Sequence, residues 1–106
     1  PPDIDVAQIY DAFSPLVLFS LENYGFCGRG EAAQMAASGA LGAGGQLPVN
    51  TSGGSLSEVY LHGANLVTEA VRQIRGTSPN QVSDARNCFI STCDSTPNGA
   101  LILRRQ

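Results

Sequence analysis

From its first residues the chain alternates short β-branched runs with longer amphipathic ones. The run IDVAQIYD, Ile4 to Asp11, is brief and enriched in Val and Ile, and predicts a strand. Asp11 to Phe13 predict a tight connection. Ser14 and Pro15 then predict a helix start, the serine as N-cap accepting an orphan N–H and the proline at the first helical position. That helix, PLVLFSLENYG, is apolar nearly all round through Phe19, which predicts burial, and Gly25 suits a left-handed exit.

A second, Ala-rich helix is predicted over Glu31 to Ser38, broken by Gly39, Gly42, Gly44 and Gly45. LPVN, from Leu47 to Asn50, predicts a short strand entering a polar turn that ends at Gly54. Gly63 to Arg75 predict the strongest helix, with Leu66, Val67, Ala70, Val71 and Ile74 on one apolar face. Arg72 and Arg75 suit the negative end of its dipole and Gly76 is its stop. A turn-rich connector leads to CFIST and ALILR, two strands joined by CDSTPNG. The order β, α, α, β, α, β, β predicts an α/β layer arrangement whose mixed sheet closes with an antiparallel pair.

Composition narrows the function classes. The 106 residues make one domain or part of one. Net charge is −3, and the basic residues, all arginine, form no stripe, which argues against nucleic acid. The Gly-rich loop has no Walker lysine, so a nucleotide cradle is not expected. Cys27, Cys88 and Cys93 with the single His62 show no zinc-like spacing, and no metal site or disulfide framework is expected. They read as free thiols in a reducing compartment. No apolar run approaches the ~20 residues of a membrane span and no signal-peptide pattern opens the chain, so a cytoplasmic protein is expected. Strand-like runs at both chain limits read as a piece cut from something larger.

Three motifs, in order, carry a family resemblance. YDAF (Tyr10 to Phe13) resembles the Asn-Glu-Ala-Phe of thiolases and the His-Asp-Cys-Phe of sterol-carrier-protein-type thiolases. VNTSGGSLSEVYLHGA resembles the NPSGGLISKGHPLGA of the latter, with Asn50, Ser52, Gly53, Gly54, Ser57, Gly63 and Ala64 matching outright. CDSTPNGALIL resembles the closing Cys-x-Gly loop and last strand, with Cys93 at the cysteine and Ser95 in place of the glycine. Residues 1–106 are thus similar to an incomplete C-terminal half of a thiolase-superfamily protein.

Within that register Tyr60 stands where thiolases keep a catalytic histidine, and Tyr10 where they keep Asn or His. A tyrosine pair at those posts resembles the thiolase-like aldolases, often called lipid-transfer proteins, of bacterial steroid side-chain degradation. TSGGSLSE.YLHG.NLVTEAVRQ is highly similar to that group, with Val59 where Gly is expected. The resemblance implies retro-aldol cleavage of a β-hydroxyacyl-CoA to a ketone and a short acyl-CoA, with the thioester as substrate and no tightly bound cofactor. It implies a homodimer of the full chain and a small OB-fold, zinc-containing partner protein. Other readings are the C-terminal domain of an acyl-CoA thiolase (acetyl-CoA acetyltransferase), or a non-catalytic lipid-binding or interaction module.

The chemistry is consistent from below. A retro-aldol step needs a base at the β-hydroxyl, a site for the enolate oxygen and an acid at the α-carbon, but no nucleophile. Tyrosine can serve as base or acid, though its ordinary pKa of ~10 must fall for base work. The expected catalytic pair is Tyr10 and Tyr60. The expected substrate-binding set is Asn50, Ser52, Gly53, Gly54 and His62, with backbone N–H groups of the Asn50–Gly54 turn at the enolate. Gly53 and Gly54 equally suit a plain tight turn, His62 a structural place at a helix start, and Cys93 a packed thiol. Asp11 suits either a cap or the orientation of a catalytic partner.

Overall fold

A computed structural model describes residues 1–59, 61–92 and 98–106. Its elements are β1 (Val6–Gln8), α1 (Ser14–Asn23), α2 (Ala32–Ala37), a one-turn α3 (Gly54–Ser57), α4 (Ala64–Arg75), β2 (Asn87–Ser91) and β3 (Ala100–Arg104). The sheet runs β1-β2-β3, with β1 parallel to β2 and β2 antiparallel to β3. Val49 adds one parallel bridge on the free side of β1.

Alternation along the strands sorts the core into two layers. Val6, Tyr10, Cys88 and Ile90 pack with Leu66 and Ala70 of α4. Ala7, Ile9 and Phe89 pack with Leu21 of α1 and Ala32 of α2. The edges of Tyr24 and Phe26 meet the Phe89 ring, with centroids 4.8 and 5.2 Å away. The expected α/β layers and the antiparallel closing pair are therefore present.

Several local expectations are corrected. The first strand is shorter than Ile4 to Asp11 because side chains take over its hydrogen bonds. The Ile9 N–H donates to Asn50 Oδ1 at 2.7 Å, Asn50 Nδ2 donates to the Ile9 carbonyl at 2.9 Å, and the Tyr10 N–H donates to Ser91 Oγ at 3.1 Å. LPVN contributes a single bridge rather than a strand, and Asn50 ends it with φ 52°. Ser14 is the first residue of α1 rather than its cap: Phe13, in extended backbone, holds the N-cap position without a side-chain bond. Nor is α1 buried, since only Leu21 is enclosed while Phe19 is 60% exposed. Its exit does follow expectation, with the Gly25 N–H on the Glu22 carbonyl and the Phe26 N–H on that of Leu21.

The α4 face also differs from its apolar reading. Leu66 and Ala70 are buried, but so are Asn65, Glu69 and Gln73, a polar row at i, i+4, i+8. Val67, Val71 and Ile74 are only half-buried.

Candidate functional site

The turn from Asn50 to Gly54 lies beside the end of β1, and each of its polar side chains is committed. Asn50 mimics a strand's peptide group for Ile9, as described. Thr51 Oγ1 donates to Glu69 Oε1 at 2.6 Å and accepts from Gln8 Nε2 at 2.9 Å and Gln73 Nε2 at 3.0 Å. Ser52 Oγ donates to Glu58 Oε2 at 3.0 Å, and Asn65 Nδ2 donates to the same oxygen at 2.8 Å.

Backbone groups complete the turn. The Asn50 N–H reaches the Ala7 carbonyl and the Gly53 N–H the Asn50 carbonyl. Gly53 and Gly54 both take positive φ, 97° and 68°. Gly54 is also a close approach, since a Cβ there would lie 2.8 Å from Asp11 Cγ. Asp11, 4% exposed, accepts the N–H groups of Ser55 at 2.7 Å and Leu56 at 3.3 Å, and so caps α3.

Tyr10 is 7% exposed and sits in the α4-side core layer. Its ring edge faces Gly63: a Cβ on Gly63 would lie 3.4 Å from Tyr10 Cδ2 and 3.0 Å from the Thr92 carbonyl. Gly63, with φ 88°, is therefore the residue that lets the α4 N-terminus close over Tyr10. His62 precedes it, exposed and also left-handed with φ 49°. Tyr60, Cys93 and Ser95 lie outside the described residues. Tyr10, Gly63 and the 50–54 turn thus converge at one end of the sheet. On its other side the turn lines a groove of about 870 Å³ with the 42–45 loop and residues 79–83.

A polar cluster behind the turn escaped sequence reasoning. Glu69 Oε1 accepts from Thr51 Oγ1, from Ser78 Oγ at 2.6 Å and from Gln73 Nε2 at 3.0 Å. Gln73 Nε2 also donates to the Asn80 carbonyl at 2.8 Å, and its Oε1 accepts from the Val82 N–H at 2.9 Å. Glu69 is 1% exposed, and Gln8 and Gln73 are fully buried. Among the described residues, Glu69 Oε2 and Gln8 Oε1 are the buried side-chain atoms without a hydrogen-bond partner. The available signal was the i, i+4 spacing of Glu69 and Gln73, which ordinary amphipathic reasoning assigns to solvent.

Neither free thiol among the described residues is activated. Burial, with the nearby Glu69 carboxyl adding to it, pushes Cys88 up to about 12. Cys27 is also raised, by burial and then by Glu22 and Glu31.

One end of a sheet closed by an antiparallel strand thus carries a polar turn, a one-turn helix capped by an aspartate, and a glycine fitted against a tyrosine. Residues 1–102 match the family model described as thiolase C-terminal domain-like, and the chain belongs to that family. Over 103 residues it is 47% identical to the 17-hydroxy-3-oxo-4-pregnene-20-carboxyl-CoA lyase of Mycobacterium tuberculosis, covering 97% of this chain and 27% of the relative. It is 52% identical, again over 97% of this chain but 26% of the relative, to the steroid side-chain-cleaving aldolase of Thermomonospora curvata. The solved structure of an Ltp2-ChsH2(DUF35) aldolase superposes on the whole chain with a TM-score of 0.94 at 47% identity, using 28% of that protein's chain. The sequence therefore spans about a quarter of the length of these relatives. Bovine sterol carrier protein 2 is more distant, 34% identical over 71 residues, which are 67% of this chain and 13% of that protein.

Proposed function

We propose that the chain forms the C-terminal part of a thiolase-like aldolase that splits a β-hydroxyacyl-CoA, with a steroid side chain as the acyl group, into a ketone and a shorter acyl-CoA. The observation that carries this reading is the 52% identity, along nearly the whole chain, to a steroid side-chain-cleaving aldolase. The lyase at 47% supports the same substrate class, a CoA thioester.

Tyr10 and Tyr60 handle the protons. One phenol oxygen, as phenolate, removes the β-hydroxyl proton. The Cα–Cβ bond then breaks, its electron pair passes to the α-carbon, and the hydroxyl-bearing carbon leaves as the ketone. The resulting thioester enolate takes a proton at the α-carbon from the other phenol, giving the acyl-CoA. No acyl-enzyme forms, so a nucleophilic cysteine has no part, in keeping with the raised thiols of Cys27 and Cys88.

The turn serves this chemistry through its backbone. The side chains of Asn50 and Ser52 bond within the protein, and the Asn50 and Gly53 N–H groups are engaged inside the turn. Enolate stabilisation therefore falls to the N–H groups of Thr51, Ser52 or Gly54, and His62, exposed at the rim, contacts the substrate. Asn50 and Gly53 hold the loop in shape. The remaining parts of the site come from sequence beyond these 106 residues, in a cytoplasmic homodimer working with an OB-fold, zinc-containing partner.

In the complete gene product with its partner, Tyr60→Phe is expected to lower the cleavage rate by about 100-fold or more while thermal unfolding stays at its original midpoint. Near-normal cleavage by that variant would remove the tyrosine mechanism. The isolated 106-residue chain is expected to show no turnover, and full turnover would overturn the shared-site reading.

A further inference from the structure

We propose that Asp11 is a positioning residue that sets the segment carrying Tyr60 against Tyr10. It rests on the tyrosine reading above and adds the device that makes two separate segments act as one site. Asp11 directly follows Tyr10, and its carboxyl is 4% exposed. Both of its oxygens are engaged: Oδ1 accepts the Ser55 N–H at 2.7 Å and Oδ2 the Leu56 N–H at 3.3 Å.

These donors begin the one-turn helix α3, which is too short to hold itself in place by internal hydrogen bonds. Its single closing bond runs from the Glu58 N–H to the Gly54 carbonyl at 3.2 Å. The carboxyl reaches both amides only because Gly54 carries no side chain: a Cβ there would overlap Oδ2 and lie 2.8 Å from Cγ. At the far end of α3, Glu58 Oε2 accepts from Ser52 Oγ at 3.0 Å and Asn65 Nδ2 at 2.8 Å, tying the segment to α4. The stretch Gly54–Glu58, which precedes position 60 in the sequence, is thus pinned by Asp11 at its start and by Glu58 at its finish.

A second anchor keeps Tyr10 in register with this arrangement. The Tyr10 N–H donates to Ser91 Oγ, so the residue before Asp11 is tied to β2. Moving the Asp11 carboxyl therefore shifts α3 relative to Tyr10 while leaving Tyr10 on the sheet. A displacement of about 1 Å between reacting groups costs on the order of 100-fold in rate.

The test uses the complete enzyme with its partner. Asp11→Asn keeps one acceptor and turns an N–H group toward the second amide. It is expected to lower kcat by about 10- to 100-fold with KM changed by less than about threefold. Hydrogen exchange should rise at the Ser55 and Leu56 amides and stay unchanged in the middle of α4. In a Tyr60→Phe background, Asp11→Asn should cause almost no further loss, because it acts through Tyr60. Multiplicative losses in the double variant, or unchanged exchange at Ser55 and Leu56, would overturn the positioning role. A fully active Tyr60→Phe enzyme would instead overturn the tyrosine reading itself, and the two failures are read from different variants. Should Asp11→Asn fail to fold, Asp11→Glu keeps both acceptor oxygens but moves them by one methylene, and so disturbs the same contact. The same loss of additivity with Tyr60→Phe is expected there, and independent losses would overturn the proposal.

Discussion

Helices α1 and α4 reverse each other's composition. The first is apolar nearly all round yet encloses only Leu21, leaving Phe19 60% exposed. The second encloses Asn65, Glu69 and Gln73 alongside Leu66 and Ala70. Burial here follows what each helix lies against rather than what it is made of. The polar row of α4 faces the Thr51 turn and the Ser78–Val82 connector, which supply hydroxyls and backbone groups as partners. Among the described residues Phe19, on the outer face of α1, stays exposed, and the chain spans about a quarter of the relatives it matches.

If this contrast is sound, removing a polar side chain from α4 costs more than removing an aromatic one from α1. Glu69→Ala takes the acceptor from the Thr51 and Ser78 hydroxyls and from Gln73 Nε2 in a site 1% exposed. Two of those donors are hydroxyls whose protons then have no carboxyl to meet, and each buried unsatisfied donor costs about 1–3 kcal/mol. Denaturant unfolding should show a loss of about 3 kcal/mol. Glu69→Gln keeps one acceptor oxygen and should lose about 1 kcal/mol. An Ala variant as stable as the parent would mean that the cluster contributes nothing to holding the turn.

A smaller effect sharpens the same contrast from the sheet side of α4. Cys88 is fully buried beneath this helix, and its thiol is pushed up to about 12 from an ordinary 9.0. The unfolded chain therefore loses this proton near pH 9 while the folded chain keeps it until about pH 12. The stability from the buried neutral thiol is fully present below pH 9 and falls as pH rises through that window. At pH 10 the loss is about 1 kcal/mol. Cys88→Ala should lessen this alkaline slope by about 1 kcal/mol, measured as the difference in unfolding free energy between pH 8 and pH 10, and leave the smaller part due to Cys27, whose thiol is also raised. A slope undiminished by the substitution would assign the effect to other groups.

How much of this was legible in the sequence depended on whether a residue's partner was its neighbour in the chain. Ala100–Arg104 and the α4 limits followed from local pattern and stop signals, and the layer order followed from them. The family register came through three short motifs, because those residues keep their spacing whatever surrounds them. Gln8, Glu69, Gln73 and Ser78 were illegible, because each looks like an ordinary surface residue until the fold brings Thr51 among them. Asn50 belongs to the expected substrate-binding set, and no local signal shows that its side-chain amide also completes the ladder of Ile9, 41 positions away. Asp11 could be read as cap or orienter, and only the amides of Ser55 and Leu56 show which carboxyl contacts exist.

The smallest expected effect is the one most able to break the comparison. Phe19→Ser removes a large apolar group, and in a core position such a change costs about 3–5 kcal/mol. At 60% exposure on α1 it should cost the isolated chain no more than about 0.5 kcal/mol, read by denaturant unfolding beside Glu69→Ala. The same substitution should reduce self-association of the isolated chain in sedimentation, since Phe13 and Phe19 are both large exposed apolar groups. In the complete gene product the cost should rise above 1 kcal/mol if sequence beyond these residues covers α1, because the ring then loses a packed neighbour. Equal costs in both settings would place the outer face of α1 in solvent in the whole protein as well. The contrast between the two helices would then express tolerance of an exposed aromatic rather than an interface left open by the length of the chain.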